Sequence, residues 1–120
     1  MPIKKTENQK KTFKVLAEVY QERQRQEKKW GKQNHPILPT GLVDFPEMIC
    51  QSYGIPSENA AKKAVELAVK RNNLTYYDIF IEEVSEAAAC GNDVKHLREE
   101  LIQVAAVAVA MIESLDRNGR

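Results

Sequence analysis

Long apolar runs are missing from this chain. The longest, Val104 to Ile112, is far too short to span a bilayer, so no membrane-crossing helix is expected. Excess charge of either sign is missing too. With 18 basic and 17 acidic residues the formal net charge is +1, so no global field holds a nucleic-acid polymer or an anionic membrane, and any anion needs a local site. There are only two cysteines, Cys50 and Cys90, and they form no CxxC pair; free thiols are the default reading. The start, Met1-Pro2-Ile3-Lys4-Lys5, lacks the apolar stretch of a signal peptide, and a cytoplasmic location is expected. Strand-like alternation is absent, and the β-branched residues fall at helical spacing.

What remains points to an all-α fold. The 120 residues suffice for one helical domain with a single core, and residues 1–120 are read as such. Thr6 can cap a first helix, with Gln9 at the capping-box position. Phe13, Leu16, Val19 and Tyr20 then form an apolar stripe, and the helix should end near Trp30-Gly31. Residues 32–56, with Pro36, Pro39, Gly41, Pro46, Gly54 and Pro56, read as a long loop with a helical turn around Phe45 to Tyr53. A second helix is expected over 57–71, with Ala61, Ala64, Val65 and Ala68 inward and Asn72-Asn73 ending it. Thr75, with Asp78 three residues on, caps a third helix running to about Cys90. A fourth spans about Val94 to Leu115, and residues 117–120 are a frayed tail. The expectation is thus about four helices, the last two an antiparallel pair because their Gly91-Asn92-Asp93 connection is short.

That pair carries the chemistry. On the third helix Glu82, Glu83 and Glu86 cluster on one side, beside the apolar side of Phe80, Val84, Ala87 and Ala88. On the fourth, Glu100 borders the stripe of Leu97, Leu101, Val104, Ala105, Ala108, Met111, Ile112 and Leu115, while Glu99 points away from it. Gln103 stands one turn beyond Glu100. Gathered carboxylates repel unless a hard cation neutralises them, and Mg2+ prefers oxygen ligands. A solvated acidic face is the ordinary fate of an isolated EExxE, since glutamate is a good helix former. Two clusters on consecutive helices, each beside an apolar stripe, favour a site. A di-iron carboxylate bundle needs Glu-x-x-His, and neither His35 nor His96 has a glutamate three residues before it. His96 reads as an exposed helix residue. Trp30 is either a core anchor or a platform on which a base stacks, with Gln33 or His35 at the base edge. Lys29, Lys32, Lys95 and Arg98 could meet phosphate, against a solvated surface role for each.

Glu82-Glu83-x-x-Glu86 followed by Glu100-x-x-Gln103 resembles the EExxE and ExxD signature of the all-α nucleoside triphosphate pyrophosphohydrolases, the MazG-like group related to the helical dUTPases and dCTPases. The stretches Glu22-Arg23-Gln24-Arg25-Gln26, Lys29-Trp30-Gly31-Lys32-Gln33-Asn34-His35 and Leu97 to Ala108 look like the small MazG-like proteins of bacteria and phages, and the resemblance covers about residues 18 to 117. It implies hydrolysis of a nucleoside triphosphate to the monophosphate and pyrophosphate, a house-cleaning role. It implies Mg2+ as cofactor, with Mn2+ as an alternative. Glu83, Glu86 and Glu100 would bind the metal, and Glu82 would be a further ligand or would orient the attacking water, so that Glu82 and Glu83 are the catalytic pair. Trp30, Lys32, Gln33, His35, Lys95 and Arg98 are the substrate-binding candidates. One departure stands out: the aspartate of ExxD is Gln103 here, which offers a carbonyl oxygen without charge as a weaker fourth metal ligand. A non-catalytic helical interaction module that keeps the fold is the competing reading. The family's assembly and the small residues Ala105, Ala106, Ala108 and Ala110 lead us to expect a homodimer or homotetramer built on 57–71 and 94–115.

Overall fold

The computed structural model describes residues 4–119 and is all-helical, with no strand among them. Five helices follow in order: α1 Glu7–Trp30, α2 Pro46–Ser52, α3 Glu58–Lys70, α4 Tyr76–Ala88 and α5 Val94–Asn118. The fifth helix beyond the expected count is α2, the helical turn anticipated inside the long loop. Pro46 opens it at a position where its missing N–H is no loss. α4 ends slightly before the expected Cys90. α5 carries on to Asn118, through residues expected to fray.

Local chemistry sets the helix starts. The Thr6 hydroxyl accepts from Gln9 N while the Gln9 side chain accepts from Thr6 N. Thr75 and Asp78 do the same for α4. Ser57 accepts from Ala60 N at the start of α3. Each such cap satisfies donors that the helix cannot, and is worth about 1 kcal/mol.

The chain forms two compact units. One comprises residues 36–108. Within it α4 packs against α3 and against α2. Ile49, Cys50 and Ala88 form a buried cluster, covered by Leu38 and Leu42 from the loop and by Ile55. The Cys50 thiol donates to Ser85 O at 3.6 Å, tying α2 to α4. The loop before α2 is shaped by turns, with Leu42 N donating to Pro39 O and Phe45 N to Leu42 O. The connection from α4 to α5 docks on this loop. Asn92 Nδ2 donates to Asp44 Oδ1 at 2.9 Å, and Gly91 (φ +60°) lies so close that an added Cβ would stand 2.6 Å from Val43 O.

The second unit comprises, of the described residues, 4–35 and 109–119. Here the Thr12 hydroxyl donates to Glu113, and Val15 is buried. The stripe Phe13, Leu16, Val19 and Tyr20, which the periodicity marks as a core face, is exposed along its whole length. The Lys5 ammonium lies 4.0 Å from the Phe13 ring centre. On α3, Ala61 is buried and Val65 and Ala68 half-buried as the pattern predicts, while Ala64 is exposed. No helix among the described residues is long and apolar enough to cross a membrane.

Candidate functional site

Glu83 and Glu86 rise from α4, and Glu100 from α5. Seventeen residues of continuous helix would hold Glu83 and Glu100 about 25 Å apart. Instead, one carboxylate oxygen from each of Glu83, Glu86 and Glu100 comes within 4.8 Å of the others. The chain therefore turns back on itself between them. The Gly91-Asn92-Asp93 connection makes the reversal, and Asp93 then starts α5 by accepting from His96 N at 3.1 Å.

The helical wheel separates Glu99 from Glu100, and the structure agrees: Glu99 is exposed and Glu100 only 8% so. Two carboxylate oxygens of this cluster, Glu83 Oε2 and Glu100 Oε2, are buried without a hydrogen-bond partner among the described residues. Buried acceptors are ordinarily paired, and an unpaired one costs about 1–3 kcal/mol. Two unit charges at this separation repel by roughly 3 kcal/mol at an effective dielectric near 20. Without a counter-charge the site is thus a local liability.

The titration behaviour expresses the same strain. Burial, then the charge of Glu100 and of Glu82, raises Glu83 above its usual carboxylate range. Glu86 is pushed up to about 7, first by burial, then by the Glu83 charge, by a proton shared with Glu100, and by the Glu100 and Glu82 charges. Glu82 is therefore part of the same electrostatic cluster. Cys90, whose thiol donates to Glu86 O at 3.3 Å, is pushed up to about 11 by burial and then by Glu100, Asp93, Glu58 and Glu86. It stays a thiol at neutral pH and offers neither a nucleophile nor a soft metal ligand.

A pH dependence of stability follows for the metal-free protein. Between about 4.5, the ordinary value, and about 7 the folded chain keeps a proton on Glu86 that the unfolded chain has lost. Where the folded state binds more protons, stability falls as pH rises, so the stabilising contribution is present below about 4.5 and gone above 7. Solvent reaches the group, so we expect only about 1 kcal/mol, or roughly 3–5 °C in Tm. Thermal melts of the native chain and Glu86→Gln in EDTA should diverge across this window. Parallel profiles would show that Glu86 does not carry the shift.

The other candidates fall elsewhere. Gln103 is exposed, one turn from Glu100 and on the same side of α5. Lys95 and Arg98 are exposed, about 140° and 160° round the helix from Glu100, and point away from the carboxylates. Trp30, Lys32, Gln33 and His35 belong to the other unit, of residues 4–35 and 109–119. Trp30 is 55% exposed and so is no core anchor; Lys29 Nζ lies 5.0 Å from its ring centre. Lys32 and Gln33 line a polar cleft with Arg23, Gln26 and Glu27 at the end of α1, and His35 is exposed beyond it. An apolar cavity of ≈ 370 Å³ lies in the carboxylates' own unit, walled by Tyr53, Ile55, Val84, Leu97, Leu101 and Val104 among others.

One contact at the site does not follow from composition. His96 Nε2 lies 3.1 Å from Glu100 Oε1. Its sequence signal is the four-residue spacing on α5, which places the two on one face. No protein-family model, no curated protein and no solved structure matches this chain.

Proposed function

We propose that this chain is a Mg2+-dependent nucleotide pyrophosphohydrolase of the MazG-like all-α type, cleaving a nucleoside triphosphate with water to the monophosphate and pyrophosphate. The observation that carries the reading is the cluster of Glu83, Glu86 and Glu100, whose buried, unpartnered oxygens fit a hard cation. Three carboxylates on two helices are an oxygen-only donor set, which suits Mg2+ or Mn2+ better than a soft metal. When bound, the cation would neutralise charge on the phosphate oxygens of the substrate. Glu83, Glu86 and Glu100 would hold it, and Gln103 would add a neutral oxygen from the next turn. Glu82, close enough to raise both Glu83 and Glu86, would orient the attacking water and take its proton.

Assembly belongs to the same proposal. Leu67 and Val69 on α3 and Leu101, Ile102 and Leu115 on α5 are exposed apolar residues on the two helices expected to build a homodimer or homotetramer. Light scattering reads the mass directly, and a monomer at micromolar concentration would remove this part.

The function is tested by pyrophosphate release from a panel of ordinary and modified nucleoside triphosphates, with Mg2+, with Mn2+ and with EDTA. The expected result is metal-dependent release with the monophosphate as co-product. A folded sample that releases nothing with either metal would replace the enzyme by the non-catalytic helical module, a reading favoured by the neutral, exposed Gln103 where the resembled family has an aspartate.

A further inference from the structure

The Glu100 side chain is nine-tenths buried, yet one of its oxygens meets a half-exposed imidazole. His96 Nε2 stands 3.1 Å from Glu100 Oε1, with 53% of the His96 side chain and 10% of the Glu100 side chain exposed. The other oxygen, Oε2, is buried and has no partner among the described residues. A carboxylate that ligates a cation is ionised and only accepts, so in the metal-bound state His96 would donate through Nε2–H. The backbone that carries the imidazole is held in the first turn of α5, where the His96 N–H donates to Asp93 Oδ1.

We propose that His96 is a positioning residue for the metal site: it occupies Glu100 Oε1 and so presents Oε2 to the cation. The inference rests on the metal-binding reading of Glu83, Glu86 and Glu100. His96 is not one of the three residues whose ligand atoms gather within 4.8 Å, so it acts through Glu100 and not as a ligand. Hydrogen bonds of this kind fix the rotamer of a ligating carboxylate, and losing one weakens metal affinity about 10–100-fold. The remaining groups explain why the task falls to His96. Lys95 and Arg98 are exposed and point away from Glu100, and Glu100 Oε2 takes no bond from Gln103 although that residue is on the correct face.

The experiment is Mn2+ binding to the full, metal-free chain without substrate, followed by the electron paramagnetic resonance signal of free Mn2+. It compares the native chain with H96A, H96Q and E83Q, each checked by circular dichroism and melting. H96A should bind at least about tenfold more weakly with an unchanged fold, because the ring is exposed and supports no core. H96Q, whose amide can still donate from the same turn, should recover most of the affinity. E83Q should lose binding. If the native chain binds, E83Q does not, and H96A binds as well as the native chain, the positioning role is overturned while the metal site stands. If H96Q is as weak as H96A, an amide donor from the same turn does not hold Glu100, and the positioning role is again overturned. If the native chain binds no Mn2+, the metal reading fails and takes this inference with it.

Discussion

Glu83→Gln is expected to lower metal-dependent pyrophosphate release at least about a hundredfold while leaving the metal-free protein as stable as the native chain, or more so. The two halves of this result come from one geometry. Glu83 shares a 4.8 Å neighbourhood with Glu86 and Glu100, and its Oε2 is buried without a partner among the described residues. In the proposed metal site it would supply charge that a neutral amide cannot. Loss of even about 3 kcal/mol of charge stabilisation is about a hundredfold in rate, at roughly 1.4 kcal/mol per decade. In the metal-free protein the same charge is unfavourable, because it adds to the raising of Glu86 and is itself held above its usual range. The substitution removes that repulsion and brings an amide that can donate to a neighbouring carboxylate. Activity loss with a retained or raised Tm separates a functional residue from a structural one. A variant that keeps native turnover would end the assignment of Glu83, and one that fails to fold would show that its charge is part of the packing.

The site is legible in the sequence to the extent that helix geometry alone decides it. Caps at Thr6 and Thr75 are local, made within four residues, and both form as the residues dictate. The wheel distinguishes Glu100 from Glu99 because burial on one helix is a matter of angle. Convergence of Glu83, Glu86 and Glu100 follows from a short connection, which leaves a helix pair few choices. Other features need tertiary information. The periodicity of Phe13, Leu16, Val19 and Tyr20 marks an apolar face but cannot say what covers it, and in this chain it stays exposed. The phosphate-binding candidates Lys95 and Arg98 rest on residue type, and the angle around α5 turns them from Glu100. The seven-residue α2 is too short to show a period of its own, and depends on Pro46 and on the burial of Ile49 and Cys50. The His96 contact is readable as an i, i+4 pair, but its weight depends on Glu100 being buried.

Gly91→Ala should be the most damaging single substitution in the connection between α4 and α5. Gly91 has φ +60°, where an L-residue costs about 1–2 kcal/mol. Its added Cβ would also stand 2.6 Å from Val43 O and 3.4 Å from the Pro46 side chain. The first distance is below any real carbon contact, and the obstacle is backbone, which cannot rotate away. Val43 lies in a loop held by the Phe45 N to Leu42 O bond and by the Asn92–Asp44 pair, so yielding loosens those too. We expect a total loss of about 3 kcal/mol, or roughly 10–15 °C in Tm. Gly41→Ala is the control: nothing lies within 4 Å of its Cβ and its φ is not in the left-handed region, so its melt should match the native one. The connection also sets where Glu100 meets Glu83 and Glu86, so whatever Gly91→Ala protein remains folded should bind Mn2+ more weakly than the native chain. Equal melts for the two alanine variants would mean that the α4–α5 reversal is not clamped on the Val43–Pro46 segment. The convergence of the three carboxylates would then have to be held by the helices alone.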